Sequence, residues 1–259
     1  MKKTALITGA SGGLGKEFAK IHAKNGGDLV IVARSKNKLL KLKEQLEKKH
    51  GVHVSIIEKD LTEPNAAQEV YNFVKFSKIE IDYLINNAGF GGVGKFHERA
   101  WAQDLAMIQL NIIALTDLTR KFLPDFVKRN NGKILNVSST ASLMAGPMQA
   151  VYFATKAFVT SFSNAISEEL HDTKISVTTL MPGATKTDFG ETSGMDKTAL
   201  FENAADPKVV AQEGYDAMLE GALDIISGVS FPQKVMMKAI PITPKSLLLK
   251  QIRKMQEPK

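Results

Sequence analysis

The stretch KTALITGASGGLGKEFAKIHAKNGGDLVIVA, residues 3–33, decides the fold. Lys3 to Thr8 is an apolar run bounded by a turn, the pattern of a strand covered on both faces. Between Gly13 and Asn25 the apolar residues Leu14, Phe18 and Ile21 recur at helical spacing, and Asp28 to Ala33 reads as a second buried strand. Strand, helix and strand in that order predict a βαβ unit with its two strands parallel.

The turn between the first strand and the helix is Thr8, Gly9, Ala10, Ser11, Gly12, Gly13, Leu14, Gly15. Glycines at this point let the backbone approach a pyrophosphate, whose charge is stabilised by the free amides and the positive dipole end of the helix. Its place after a strand and before an amphipathic helix is the context that makes a dinucleotide fingerprint credible. The second strand ends Ala33, Arg34, Ser35. An NAD site usually carries a carboxylate there for the adenosine ribose, whereas an arginine pairs with a 2′-phosphate. NADP(H) is therefore expected over NAD(H), with a solvated strand-end charge as the alternative for Arg34; Lys36 and Lys38 are assigned to a helix surface. Asp60 either accepts from the adenine amino group or caps the helix before Thr62 and Glu63, and the residues leave both open.

Alternation continues with a helix Lys36 to Lys49, a strand His53 to Glu58, a helix Pro64 to Ser77 and a strand Asp82 to Ile85. A long helical region follows from Glu98 to Lys128, then a strand Lys133 to Val137, a helix Val151 to His171 and a strand Lys174 to Leu180. Such a series predicts an α/β architecture: a Rossmann-type doubly wound parallel sheet of about seven strands with helices on both faces. No repeat or linker interrupts it, so residues 1–259 are expected to form one domain for dinucleotide binding and catalysis. Residues 188–205 are irregular, 206–221 look helical, and 229–259 form a basic C-terminal extension with scattered prolines.

With 259 residues, 44% of them hydrophobic, the chain can bury an extended core. It has no cysteine, which excludes disulfides, thiol nucleophiles and thiolate metal sites, and its five histidines lack paired metal-ligand spacing, so no metal is expected. Met1 to Gly9 runs straight into an apolar strand, and no apolar run approaches the ~18 residues of a membrane span, which predicts a soluble cytoplasmic protein without integral membrane association. The net charge of +7 suits nucleic acid, a membrane surface or a polyanionic small molecule. Basic residues are spread along the chain, and no basic cluster is interleaved with stacking aromatics, so nucleic acid is not an expected partner.

Tyr152 and Lys156 stand four apart in a helical stretch free of Pro and Gly, so both side chains leave one face; Phe158 and Phe162 continue an apolar stripe. A cation beside a phenol stabilises the phenolate, bringing the group towards the range of efficient acid/base chemistry. The pair gains weight from Asn86-Asn87-Ala88-Gly89, Asn111, Ser139 and Pro182-Gly183 with Thr187, all in order with the glycine turn and Asp60.

Together these motifs, over roughly Lys3 to Phe189, resemble the short-chain dehydrogenase/reductase family in its compact single-domain branch. Family spacing selects Ser139, thirteen positions before Tyr152, over its neighbour Ser138. The resemblance implies that Tyr152 donates a proton to a carbonyl oxygen while NADP(H) delivers hydride to the carbon. Lys156 would stabilise tyrosinate and hold the nicotinamide ribose, Ser139 would orient the substrate oxygen, and Asn111 would anchor a relay water. It also implies cofactor contacts from Gly9, Ser11, Gly13, Leu14, Gly15, Arg34, Asp60, Asn87, Ala88 and Gly89. Pro182, Gly183, Thr185 and Thr187 would meet the nicotinamide. Gly12 stands where a serine is often found, and Thr185 where Val or Ile is common; neither removes a needed chemical group.

A small carbonyl or alcohol substrate is expected outside the strand C-termini, against Phe90, Met144, Met148, Phe189, Met195 and Phe201, with 188–205 as a lid. His97 is expected on the surface. After Pro244, Leu248, Ile252 and Met255 form an apolar face beside Lys245, Lys250, Arg253 and Lys254, expected to pack on the domain or another subunit rather than on lipid. Relatives of this kind are commonly homodimers or homotetramers. The rival to a carbonyl reductase is an NADP(H)-sensing protein without turnover, a role in which the tyrosine or lysine is commonly lost.

Overall fold

Apolar runs as continuous as Ala5 to Ile7 and Leu29 to Ala33 demand cover on both faces, and the chain supplies it. The computed structural model describes residues 2–195, 201, 204–240 and 243–256. Strands β1 (Thr4–Thr8), β2 (Asp28–Ala33), β3 (Val54–Glu58), β4 (Tyr83–Asn86), β5 (Gly132–Val137), β6 (Ile175–Pro182) and β7 (Asp224–Ser227) form one seven-stranded sheet. All its pairings are parallel, in the order β3-β2-β1-β4-β5-β6-β7. Helices α1 (Gly13–Lys24), α2 (Lys36–His50) and α8 (Pro207–Glu220) cover one face. Helices α3 (Ala66–Phe76), α5 (Leu115–Arg129) and α6 (Ala150–Glu169) cover the other. The period of two is explicit in β1: Ala5 and Ile7 pack with Phe18, Ile31 and Met218, while Leu6 packs opposite with Val30, Leu84, Phe122 and Phe126.

Buried polar groups tie the layers together. The His22 imidazole on α1 lies 3.0 Å from the Lys3 carbonyl through Nε2 and 2.7 Å from the Tyr215 hydroxyl on α8 through Nδ1. Because a carbonyl only accepts, Nε2 carries the proton and Nδ1 accepts from Tyr215. Asn86 and Asn136, register partners on β4 and β5, share a 2.9 Å hydrogen bond, and reach Thr119 on α5 and Ser163 on α6.

Four elements differ from expectation. The single helix expected over Glu98 to Lys128 is a 3-10 turn Phe96–Glu98, then α4 (Trp101–Ile108), a π-helical turn Gln109–Ala114, and α5. A π turn inserts one residue without changing composition, so apolar spacing does not betray it. The four residues of β7 are too short to show a period, and α9 (Phe231–Ala239) carries Pro232 in its first turn, which reads as a breaker. Pro is tolerated there because first-turn amides have no helical partner, and Gln233 Oε1 accepts from the Ser230 N–H (2.8 Å) and hydroxyl (2.9 Å). In the segment expected to be irregular, α7 (Phe189–Ser193) forms a short helix; α10 (Lys245–Gln256) ends the described chain.

Burial disfavours the charged form of His22 and holds its pKa below the usual imidazole value, against the pull of nearby backbone carbonyls and Asp82. The unfolded chain takes up this proton near pH ~6.5 and the folded one does not, so the contribution is present above that pH and lost below it. The urea midpoint is expected to fall between about pH 7.5 and about pH 5.5, and His22→Gln to flatten that slope. A native midpoint constant over the window would mean that His22 is not held neutral.

Candidate active site

The strand order reverses between β1 and β4, and the crevice this leaves at their carboxyl ends is where a parallel α/β sheet binds its ligand. Thr8 and Asn87 build its floor. The Thr8 hydroxyl accepts the backbone N–H groups of Asn87 and Ala88, both at 3.0 Å, and the Asn87 amide donates to the Thr8 carbonyl at 2.9 Å. Gly9 sits at φ +67°, and a Cβ there would lie 2.8 Å from the Asn87 amide nitrogen. At Gly15 a Cβ would come within 2.4 Å of the Gly9 carbonyl oxygen, so neither position admits a side chain. Gly13, at φ +50°, faces Thr187, Ser11 is half-buried, and Leu14 packs against the core.

Helix α1 has no side-chain cap and no acid in its first turn, so its leading amides and dipole face the crevice unopposed. That cradle fits the pyrophosphate of a dinucleotide. Arg34 stands at the end of β2 with its side chain 81% exposed, 3.9 Å from Asp60. Asp60 Oδ1 accepts from the Thr62 N–H (2.9 Å) and hydroxyl (2.7 Å), so the turn-capping role occupies one oxygen while the other faces Arg34. Burial would raise its pKa, but the Thr62 bonds and the Arg34 and Lys59 cations hold it below the usual value.

Ser139, at the end of β5, and Tyr152 and Lys156, one turn apart on α6, converge beside this crevice. Ser138 donates to the Lys156 carbonyl at 2.9 Å and lies 2.8 Å from the Thr160 hydroxyl, which spends it on holding α6. Ser139 instead accepts from the Ala141 N–H at 3.1 Å and reaches the Pro182 carbonyl at 3.4 Å. Burial pushes the Tyr152 phenol up to about 12, with the Ser139 hydroxyl opposing, and brings the Lys156 ammonium down to about 8. The resting phenol is thus raised, where pairing with Lys156 alone was expected to lower it. The Lys156 Nζ lies over the ring face, 5.9 Å from the centroid, and donates to the Val137 carbonyl at 2.8 Å, so desolvation dominates.

Asn111 sits in the π turn, fully committed to structure. Its Oδ1 accepts from the Phe90 N–H (3.1 Å), and its Nδ2 donates to the Phe90 carbonyl and to Thr155, both at 3.0 Å. A Cβ at Gly89 would lie 3.0 Å from Asn111 Oδ1 and 3.5 Å from Lys156 Nζ, so the missing side chain lets the three approach. Beyond β6, the Gly183 N–H donates to Ser227, Thr185 bonds back to the Gly183 carbonyl, and Thr187 rests on Gly13. Pro182 to Thr187 thus arcs from the catalytic cluster to the glycine turn.

On the open side, Phe90, Met144 and Phe189 pack around Tyr152, with the Phe189 and Tyr152 rings 5.6 Å apart. Met195 is buried, Phe201 is half-buried, Met148 adopts φ +69°, and His97 is exposed on the surface. Of the expected lid, residues 196–200, 202 and 203 lie outside those described; the part described closes through Val93 N–H to the Ser193 carbonyl at 3.2 Å. Sequence reasoning missed Arg99, which fastens loop 90–99 by donating to Asp104 (2.8 Å) and to the Val93 carbonyl (2.9 Å). It also missed Gln149, a polar residue inside an apolar run, now buried with neither amide atom partnered. Among the described residues no group of acids and histidines is placed to hold a metal, and no helix is long and apolar enough to cross a membrane.

Known proteins match this arrangement. A short-chain dehydrogenase from Sphingobium yanoikuyae in complex with NADPH superimposes with a TM-score of 0.84 at 30% identity, over 95% of each chain. A fatty acyl-CoA reductase of Acinetobacter baylyi is 36% identical over 180 residues, 69% of this chain and 61% of that protein. The human very-long-chain 3-oxoacyl-CoA reductase is 31% identical over 188 residues, 69% of this chain and 58% of that protein, so the matches span about three-fifths of these curated relatives. Residues 3–198 match the family described as short chain dehydrogenase. With the switch-point crevice, the glycine turn and these likenesses in hand, the chain belongs to the short-chain dehydrogenase/reductase family of oxidoreductases.

Proposed function

We propose that this protein reduces the carbonyl of a hydrophobic ketone or aldehyde with NADP(H), and oxidises the corresponding alcohol in reverse. The observation that carries the reading is the buried phenol of Tyr152, which keeps its proton at neutral pH inside an apolar enclosure at the mouth of the cofactor crevice. The NADPH-bound relative and the exposed Arg34 support the cofactor preference, and the two acyl-CoA reductases support an apolar substrate.

When bound, the nicotinamide supplies hydride to the carbonyl carbon. Tyr152 donates its proton to the carbonyl oxygen, and Ser139 turns its hydroxyl from Pro182 to that same oxygen, fixing it within reach of the phenol. Lys156 holds the nicotinamide ribose and, while charged, stabilises the tyrosinate left behind. Asn111 acts by position: it clamps Phe90 and Thr155, which aligns the loop and α6, and any relay water would share its Oδ1 with Phe90. The glycine turn with Ser11 and Leu14 holds the pyrophosphate, Arg34 the 2′-phosphate and Asp60 the adenine. Asn87, Ala88 and Gly89 line the floor, and Pro182, Gly183, Thr185 and Thr187 receive the carboxamide. Residues 188–205 close over the bound pair as a lid.

Tyr152→Phe is expected to lower kcat by about 10²–10⁴-fold while NADPH binding persists. No NADPH consumption by the native protein or Tyr152→Phe across a broad panel of ketones and aldehydes would favour the NADP(H)-sensing alternative. Reduction is expected to slow above pH about 8 as Lys156 loses its proton, while Tyr152, at about 12, remains loaded. Lys156→Arg should move that fall upward, and a pH–rate profile of kcat for both proteins tests it. Arg34→Ala should weaken NADPH binding by roughly 10–100-fold and leave NADH unchanged, as fits the loss of charge-assisted hydrogen bonds. Equal affinities for the two cofactors in the native protein would remove the proposed phosphate contact. For the lid, NADPH should slow limited proteolysis between residues 188 and 205; cleavage unaffected by cofactor would reject it.

A further inference from the structure

Basic residues occur along the whole chain, but acids do not. From Val229 to Lys259 seven lysines and arginines face one acid, Glu257, so this stretch holds +6 of the formal +7 and the other residues are nearly neutral. The same stretch leaves large apolar side chains in water: Phe231 is 78% exposed and Leu247 60%, with Val235, Met236 and Leu249 also exposed. Helix α10 has already met its packing needs, since Ile252 and Gln256 are buried and Leu248 is half-buried, so Leu247 and Leu249 are surplus to the core. They stand among exposed Lys245, Lys250 and Lys254.

Exposed apolar side chains interspersed with cations, and with no acid among the described residues 229–256, ask for a partner that is anionic at its surface and apolar just beneath. A second copy of this face would bring +6 against +6, and nucleic acid offers nothing to exposed Leu, Val and Met. An anionic bilayer offers both, with headgroup phosphates for the lysines and the acyl boundary for Phe231, Val235 and Leu247. The location adds a consequence. Val229 packs where a Cβ on Gly183 would come within 2.5 Å of its Cγ1, so α9 begins two residues from the turn at the catalytic mouth.

We propose that α9 and α10 form a peripheral docking surface for anionic lipid, which brings the mouth of the site to the bilayer, where apolar substrates concentrate. Flotation of the intact protein with phosphatidylcholine vesicles containing about one-third phosphatidylglycerol tests this. The protein should float with these vesicles and not with phosphatidylcholine alone, and raising salt from about 0.05 M to about 0.5 M should reduce binding by roughly tenfold or more. Phe231→Ser with Leu247→Ser, and separately Lys245→Glu with Lys250→Glu, should each reduce flotation by about tenfold, with melting temperature and turnover of a water-soluble carbonyl as in the native protein. Phe76→Ser, which removes a 91% exposed ring from the end of α3, away from this surface, should leave flotation intact. The proposal is overturned if the native protein stays with the dense fraction, or if neither double variant changes its flotation. It also fails if the variants instead dissociate an oligomer seen by light scattering, with no flotation, for the face would then be a subunit contact.

Discussion

The hydroxyl of Thr8 accepts two backbone N–H groups across the seam between β1 and β4, and the rest of the site is arranged around that contact. At a strand-order reversal the two neighbouring strands send their chains to opposite faces of the sheet, so their last backbone groups lose the partners that a regular ladder provides. Thr8 and Asn87 satisfy these groups from within, without filling the crevice. Gly9 and Gly15 then allow the chain to turn through a space that a single Cβ would close. The amides at the start of α1 remain without side-chain partners as a consequence, an arrangement that suits an anion.

Desolvation shapes the Ser139, Tyr152 and Lys156 cluster more than pairing does. Tyr152 and Lys156 are both deeply buried, and burial disfavours tyrosinate and ammonium alike. A resting phenol is thereby kept loaded as an acid, which suits reduction. The ammonium is brought down to about 8, so it stays mostly protonated at neutral pH and loses its charge above about pH 8. In the proposed reaction, charge appearing on the phenolic oxygen would find Ser139 and Lys156 already fixed to Pro182, Ala141 and Val137, so little reorganisation would be left for the reacting state.

The sheet was legible because its signals are local: runs such as Leu29 to Ala33 are buried on both faces, and the glycine turn follows one of them directly. That Ser139, Tyr152 and Lys156 come together was legible from residue type and from their order after the glycine turn. What escaped depends on distant partners. The π turn at Asn111 is set by the Phe90 backbone, twenty-one residues earlier, and leaves no mark on apolar spacing. Asp60 was open between two roles because both use one carboxylate, and each oxygen takes a different neighbour. β7 is four residues long, and α9 carries a proline in its first turn, so tertiary context alone reveals them.

One local conformational cost in this molecule lies close to the phenol. Met148 holds a positive φ next to Gln149, whose buried amide has no partner in the protein, and both lie immediately before the helix that carries Tyr152. An unsatisfied buried amide costs about 1–3 kcal/mol, and a non-glycine residue in the left-handed region a comparable amount. Neither is relieved by its surroundings, although Gly94 donates to the Met148 carbonyl at 2.8 Å and the loop carrying it is fastened by Arg99. The sheet and its two apolar layers carry the stability, which lets the segment before α6 remain locally unfavourable. Backbone strain at Met148 and the unpartnered amide of Gln149 therefore sit together at the start of the helix that carries the phenol.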